Sequence, residues 1–219
     1  MQNIPRIFIN QNLESEKIIP VDKNTVHYLR HVMRRGDCLV FNSGIEYNAV
    51  LADGDKNIII GDKTEHIDPS NDLIFYFAPI KKIDEMLNMV TQLGVAKLQP
   101  VITERTVARH VNWERLQKII IEASEQSGRN SIPSLLPPVQ FKDVDFTDMV
   151  LADERAAHGK DFNATIKKCK KIFVGPEGGF SQHEFETMDM VGVKGISLGK
   201  TILRAEVAAV VAVSMVINK

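Results

Sequence analysis

The sequence predicts an α/β domain with a mostly parallel sheet, preceded by a small all-β domain. After residue 72, short apolar strands alternate with helices, which is typical of a parallel sheet covered by helices. Before residue 70, short apolar runs are separated by turn clusters such as Asn42-Ser-Gly44, which favours a small antiparallel barrel or sandwich. The polar, proline-bearing segment 68–72 separates the two patterns, so we expect domains at 1–70 and 71–219.

In the first domain the apolar runs predict strands at 7–9, 38–41, 47–51 and 57–60. The stretch 24–35 has helical spacing instead, so we expect a short helix capped by Asn24 and ended before Gly36. Within that helix Leu29, Val32 and Met33 can point to the core.

In the second domain we expect strands at 73–78, 97–102, 149–152, 172–174 and 195–198. Helices are expected at 82–93, 112–126, 160–168, 181–190 and 205–217, with a proline-rich loop at 132–138. The last helix is apolar on almost every side, which predicts burial in the core or against a second subunit.

Composition limits the class of protein. Hydrophobic residues make up 44% and charged residues 25%, which excludes a disordered or fibrous chain. Because the net charge is only -1, any contact with nucleic acid must come from local basic patches. Cys38 and Cys169 lie far apart in no metal or redox spacing, so we expect free thiols in a reducing compartment. With no signal peptide layout and no apolar run of about 20 residues, we expect a cytoplasmic protein without membrane contact.

Two glycine-bearing segments each lie between a strand and a helix: Val174-Gly-Pro-Glu-Gly-Gly-Phe-Ser181 and Leu198-Gly-Lys-Thr-Ile-Leu-Arg-Ala-Glu206. Glycine lets the backbone approach a ligand because no Cβ intervenes. Ser181 with Glu184 matches the capping box that starts a helix, so the first loop ends at the positive pole of that helix. A tight structural turn is the alternative. The pattern matches neither dinucleotide nor phosphate-loop motifs, which makes a nucleotide-phosphate enzyme a weaker alternative.

Arg204 stands at the start of the last helix, where the dipole disfavours a cation and favours an acidic partner. A functional role and a structural salt bridge with Glu206 or Glu177 both stay open. Nucleophilic catalysis and metal binding find no matching residue spacing, so we expect metal-free chemistry.

A basic stretch, His27-Tyr-Leu-Arg-His-Val-Met-Arg-Arg35, contains five potential cations and no acid. At helical spacing His27, Arg30, His31 and Arg34 share one face, which could neutralise phosphates while Tyr28 stacks on a base. A solvated charged face is the alternative.

The two glycine segments together resemble the RsmE family of ribosomal RNA uridine-N3 methyltransferases, within the SPOUT superfamily. Further matches occur in the same order along the chain: His27-Tyr-Leu-Arg30 with Arg34, Leu93-Gly-Val95, Glu104-Arg-Thr106 and Glu122-Ala-Ser-Glu-Gln-Ser-Gly-Arg129. The resemblance implies a PUA-like barrel for RNA, a SPOUT α/β domain with a deep trefoil knot, and a homodimer formed through the knot domain. It also implies S-adenosylmethionine as cofactor and, as substrate, a uridine of 16S rRNA in the small ribosomal subunit, near the decoding region.

Three groups of residues are expected: a cofactor-binding group from the resemblance, an RNA-binding group from the resemblance and the basic stretch, and a catalytic group from the chemistry of methyl transfer to uridine N3. The cofactor would be bound by Leu151, Ala152, Val174, Gly175, Glu177, Gly178, Gly179, Ser197, Leu198, Gly199, Ile202, Leu203 and Arg204. The RNA would be bound by His27, Tyr28, Arg30, His31, Arg34, Arg35 and Arg129. In catalysis, Arg204 would stabilise the anion formed when uridine N3 loses its proton, and Glu177, Glu206 or solvent would take that proton.

The chain departs from the family pattern at four positions. The usual Lys and Glu before Leu93-Gly-Val95 are Met89 and Gln92, and the threonines that flank the late Glu are Ala205 and Val207. Met89 and Gln92 suggest, as an alternative function, a non-catalytic RNA-binding protein with a degenerate knot.

Overall fold

A computed structural model describes residues 4–52, 54, 56–69, 71–107, 111–158 and 169–218. By its contacts the chain divides into two compact units. The first unit comprises Met1–Pro69 with Ile121–Ile132, and the second comprises Ser70–Ile120 with Pro133–Lys219.

The first unit is built on a five-stranded sheet. Its strands are β1 (Arg6–Phe8), β2 (Ile18–Pro20), β3 (Asp37–Asn42), β4 (Ile45–Leu51) and β5 (Asn57–Lys63), in the order β1-β3-β4-β5-β2. β1 pairs with β3 in parallel, and the other pairs are antiparallel. β2 was not predicted from the sequence, because three residues ending in proline are too few to show alternation of apolar and polar side chains. The proline is tolerated because β2 lies at the edge of the sheet.

The inner face of this sheet forms an apolar core that includes Ile19, Leu29, Val40 and Ile58. Cys38 belongs to it, and burial raises the pKa of its thiol to about 12, so the thiol is unreactive near neutral pH. Neither cysteine forms a disulfide, as predicted, and Cys38 is buried while Cys169 is partly buried.

The predicted helix at 24–35 differs from the one observed. Helix α1 (Lys23–His27) is capped by Asp22, whose carboxylate accepts the Thr25 N–H at 2.7 Å, and not by Asn24. A carboxylate at this position reaches the unpaired amide three residues on, which favours the earlier start. The chain then widens into a π-helical turn, Tyr28–Val32, in which Leu29 is buried but Val32 is 59% exposed. The expected core position of Val32 was therefore wrong.

Asp68 joins the two segments of the first unit. Its carboxylate accepts N–H groups of Asn130 and Ser131, each at 2.9 Å, and the Ser131 hydroxyl at 2.6 Å. Burial alone would raise the pKa of Asp68, but these hydrogen bonds and the nearby charge of Arg129 outweigh it, so the pKa is lowered. The folded state therefore favours the ionised carboxylate.

Asp68→Asn is expected to destabilise the protein by about 1–3 kcal/mol at pH 7, because buried donors lose a charged acceptor. A lowered folded pKa stabilises the protein above the unfolded value of 3.8, and this contribution is lost as pH falls through the folded pKa. The difference between wild type and variant should thus shrink below pH 4, as measured by urea unfolding. The control is Asp72→Asn, which removes an exposed ion pair with Lys170. A difference that stays constant down to pH 2.5 would contradict the assigned role of Asp68.

The second unit contains a parallel sheet. Its strands are β6 (Ile74–Phe77), β7 (Lys97–Ile102), β8 (Ser134–Leu135), β9 (Val139–Gln140), β10 (Met149–Ala152), β11 (Lys171–Val174) and β12 (Lys194–Ile196). The order is β12-β10-β11-β6-β7-β8, with β9 also paired to β7, and every pairing is parallel. This confirms the predicted parallel sheet, although β8 lies in what was expected to be only a loop.

Four helices accompany the sheet: α2 (Ile83–Leu93), α3 (Trp113–Ser127), α4 (Gln182–Met190) and α5 (Ala205–Ile217). The helix expected at 160–168 lies outside the described residues. α5 packs against α2 and β11 and buries Ala209, Ala212 and Val213. Val207 and Met215 remain 42% and 38% exposed, so the core of one chain covers only part of this apolar helix.

Across the part of the chain that the structure describes, no helix is long and apolar enough to span a membrane.

Candidate active site

A cavity of about 530 Å³ lies in the second unit, at the carboxyl ends of β10, β11 and β12. The first residues of α5 and the segment before α2 complete its walls. Ligands of open parallel sheets bind at this edge, because the loops that leave neighbouring strands meet there.

The first glycine loop follows β11 and turns back sharply. Gly179 has φ +68°, a conformation that favours glycine, and its N–H donates to Pro176 O at 2.9 Å. At Gly175 a Cβ would lie 2.8 Å from the ring of Phe180, which is buried and packs edge-on against Phe173 at 4.9 Å between centroids. Both glycines are therefore required by local geometry.

Three hydrogen bonds hold the first glycine loop in place. The predicted capping box is confirmed, since Ser181 caps α4 and the Glu184 carboxylate accepts the Ser181 N–H at 2.9 Å. The other oxygen of buried Glu184 accepts the Glu104 N–H at 2.8 Å, and the Arg105 guanidinium donates to Gly178 O at 3.0 Å. The loop is thus fixed to the turn that follows β7.

The second glycine segment forms the opposing wall and contains Arg204. Gly199 has φ +127°, and its N–H donates to Ser197 Oγ at 3.2 Å. Arg204 is exposed, lines the cavity and precedes the first turn of α5 in an extended conformation. Its guanidinium makes no hydrogen bond or ion pair with any residue that the structure describes.

The carboxylates that were alternative partners of Arg204 have other contacts. Glu177 Oε1 accepts the Lys81 N–H at 2.7 Å, and buried Glu206 lies 3.8 Å from Lys82 Nζ. The structural salt bridge considered from sequence is therefore not formed, and a cation remains available at the cavity wall.

The structure brings most of the predicted cofactor residues together. Ten of the thirteen line the cavity, and so do all three candidate catalytic residues; the ten are Ala152, Val174, Gly175, Glu177, Gly179, Leu198, Gly199, Ile202, Leu203 and Arg204. Leu151 does not, because strand alternation turns it into the apolar core with 1% exposure. Gly178 and Ser197 also lie outside the lining residues, although both belong to the loops that form the walls.

Several polar lining residues were missed by the sequence reasoning, among them Lys81, Lys82, Asp153 and Glu154. Asp153 and Glu154 directly follow the predicted strand at 149–152, so the rule that ligands bind at strand ends could have identified them. Arg155 binds the Asp153 carboxylate at 2.6 Å and that of Asp189 at 2.8 Å, which fixes the chain where it leaves β10.

The predicted RNA-binding residues lie in the first unit. His27, Tyr28, Arg30, His31 and Arg34 are exposed, and the rings of His27 and His31 lie 5.0 Å apart on one side of the helical turn.

The other two predicted RNA-binding residues are engaged within the protein. Arg35 donates to both oxygens of Asp37, at 2.9 and 2.6 Å. Arg129 is 12% exposed, lies 3.9 Å from Asp68 and donates to Ser131 Oγ at 3.1 Å, so it holds the first unit together. The exposed basic side chains of the predicted RNA-binding set are those of His27, Arg30, His31 and Arg34.

Within the described ranges, no group of three or more His, Cys, Asp and Glu side chains is placed to bind a metal ion.

The sequence of this chain is similar to those of known RNA methyltransferases. A family model described as "RNA methyltransferase domain" matches residues 68–217. Ribosomal RNA small subunit methyltransferase E of Rickettsia conorii is 36% identical over 96% of this chain and 94% of its own length. The chain belongs to this methyltransferase E family.

Two solved structures have the same fold as this chain. The methyltransferase E of Neisseria gonorrhoeae, bound to S-adenosyl methionine, matches with a TM-score of 0.83 and 26% identity, covering 97% of this chain and 96% of that one. A probable rRNA methyltransferase from Porphyromonas gingivalis has a TM-score of 0.80 at 24% identity, covers 97% of this chain and 96% of its own, and supports the fold alone.

Proposed function

We propose that this chain is an S-adenosylmethionine-dependent methyltransferase that modifies N3 of a specific uridine in 16S rRNA of the small ribosomal subunit, near the decoding region. The observation that carries the proposal is the cavity between the two glycine loops, with Arg204 at its wall and no partner for its guanidinium among the described residues. Family membership supports the reaction class, and the uridine and its position follow from the resemblance described above.

The cavity fits a cationic nucleoside better than a phosphate. Four carboxylates line it, those of Asp153, Glu154, Glu177 and Glu206, against three cations. Since Asp153 is paired with Arg155, the cavity has no excess of positive charge to hold a phosphate, whereas its other carboxylates would attract the sulfonium and ammonium groups of S-adenosylmethionine. A nucleotide-phosphate enzyme is therefore disfavoured.

The residues of the cavity supply binding and charge. S-adenosylmethionine, when bound, supplies the methyl group as a good electrophile. The backbone of the two glycine loops would hold it, because glycine leaves room for close approach, and Ala152 at the end of β10 would contact the adenosine.

Transfer to uridine N3 requires loss of the proton between two carbonyl groups. Arg204 would stabilise the resulting anion at those carbonyl oxygens, as an oxyanion hole does. For the proton, Glu177 is exposed and can be reached by a substrate, whereas Glu206 is buried, so Glu177 is the carboxylate proposed to take it.

The four departures from the family pattern leave the cavity largely intact. Neither Met89 nor Gln92 lines it, and the Gln92 amide donates to Asn88 Oδ1 at 2.6 Å within α2. Of the other two, only Ala205 lines the cavity. A non-catalytic RNA-binding protein is therefore not favoured.

The resemblance also supports a finer architecture. We propose that residues 1–70 form a PUA-like RNA-binding barrel and residues 71–219 a SPOUT domain with a deep trefoil knot. The knot is supported by the path of α5, which follows the edge strand β12 yet packs on β11, on the other side of β10. Val207 and Met215 on α5 are apolar and exposed, which supports a homodimer formed through the knot domain, and the proposed rRNA substrate supports a cytoplasmic location. Sedimentation velocity tests this: a monomer at micromolar concentration would refute the dimer.

The function is tested by nucleoside mass spectrometry of 16S rRNA from cells that lack this protein. We expect 3-methyluridine to disappear and to return with the wild-type gene. A gene encoding Arg30→Glu and Arg34→Glu should fail to restore it, because these substitutions reverse charge on the proposed phosphate-binding surface.

The purified double variant should still bind S-adenosylmethionine, since the cavity lies in the other unit. An unchanged 3-methyluridine signal in the deletion strain would refute the assigned reaction. Full rescue by the double variant would refute the RNA surface.

A further inference from the structure

Among the carboxylates of the cavity, Glu154 is the one without a partner in the described part of the chain. Asp153 is bound by Arg155, Glu177 accepts a backbone N–H, and Glu206 lies near Lys82. The Glu154 carboxylate accepts no hydrogen bond and forms no ion pair with any described residue.

Glu154 is held against the first glycine loop. A Cβ built on Gly179 would collide with its carboxylate, so the two residues are in close contact. β10 ends at Ala152, and Asp153 and Glu154 are the next two residues. All three line the cavity. The carboxylate is therefore placed where the β10 end and the glycine loop meet.

Partial burial, together with the neighbouring charge of Asp153, raises the pKa of Glu154, while Arg105, His158 and Arg155 act in the opposite direction at longer range. The Glu154 side chain is nevertheless exposed at the cavity, so both of its carboxylate oxygens can accept hydrogen bonds from a ligand bound there.

We infer that Glu154 accepts hydrogen bonds from the two ribose hydroxyls of the methyl donor, an inference that rests on the proposed function. A carboxylate is an acceptor with two oxygens, and a vicinal diol presents two O–H donors. Adenosine is proposed to contact Ala152, two residues before Glu154, so the carboxylate lies in the part of the cavity that would receive the nucleoside, and we assign the ribose hydroxyls to it. In dinucleotide-binding folds an acidic residue likewise accepts a hydrogen bond from a ribose hydroxyl. The sulfonium offers no N–H or O–H for such a bond.

Calorimetry with Glu154→Ala and Glu154→Gln tests the assignment. Glu154→Ala should weaken the binding of S-adenosylmethionine and of S-adenosylhomocysteine by the same factor of about 10 to 100, since both ligands contain the diol. Glu154→Gln should lose less, because an amide oxygen still accepts. Glu186→Ala, which removes an exposed carboxylate on α4, is the control and should bind as wild type does.

The decisive measurement is a cycle with the 2′-deoxy and 3′-deoxy forms of S-adenosylhomocysteine. Removing a hydroxyl should weaken binding to wild type but cause little further loss in Glu154→Ala, because the interaction is already gone. An equal deoxy penalty in both proteins would overturn the assignment, as a purely structural role predicts that result. A loss confined to S-adenosylmethionine would overturn it in favour of the sulfonium. No binding of either natural ligand to wild type would instead refute the proposed function itself.

Discussion

Arg204→Ala is expected to lower the methyl-transfer rate at saturating donor and RNA by about 100- to 1000-fold, the usual cost of removing an oxyanion donor. The reason is that the Arg204 guanidinium lines the cavity without an internal partner, so its charge is available to the uridine anion. Donor affinity should change little, because the carbonyl anion forms only during the reaction. Single-turnover kinetics separates the two effects.

Two variants sharpen this test. Arg204→Lys keeps the charge but loses the planar pair of donors, so an intermediate rate is expected. Lys200→Ala removes another exposed cation from the same loop, one that does not line the cavity, and should leave the rate unchanged. An Arg204→Ala enzyme with the wild-type rate would rule out the proposed role.

Gly175→Ala is expected to reduce donor affinity by about 10- to 100-fold and stability by about 1–3 kcal/mol, because overpacking a rigid site costs that much. The added methyl group would meet the Phe180 ring at 2.8 Å, and that ring is enclosed by Phe173 and Phe185. The glycine loop must therefore shift away from its position. Calorimetry and urea unfolding measure the two losses.

The matched control is Gly178→Ala in the same loop, where a Cβ would make ordinary contacts with Arg105 at 3.7 Å. It should bind the donor within a few-fold of wild type. Adding Phe180→Leu to Gly175→Ala should recover part of the lost affinity, since the smaller side chain frees the space. Equal losses in the Gly175 and Gly178 variants would show that the Phe180 contact is not the cause.

Local signals explain why much of the fold could be predicted. The capping box at Ser181 and Glu184, the helix at 205–217 and the strands that end in glycine depend on residues close in sequence. The same signals identified both walls of the cavity, because a strand followed by a glycine turn and a helix fixes its own geometry.

What the sequence did not predict depends on contacts between distant residues. Arg129 resembled a surface cation, but Asp68, far away in sequence, encloses it in the first unit. The cap of α1 is an exception, because the contact of Asp22 with the Thr25 N–H is local and the sequence offered it alongside Asn24. The isolation of Glu154 could be recognised only after the partners of the other cavity carboxylates were known.

The position of Glu184 has a consequence for how a ligand can enter and leave. One carboxylate starts α4, closes the end of the first glycine loop and anchors the turn after β7. This wall cannot swing open unless the helix loses its cap and a buried charge loses both of its amide donors. We therefore expect a ligand to enter at the opposite wall, where Ile202 is 66% exposed and the Arg204 guanidinium has no partner among the described residues. The donor site therefore has one wall that Glu184 fixes, opposite a wall whose residues are exposed.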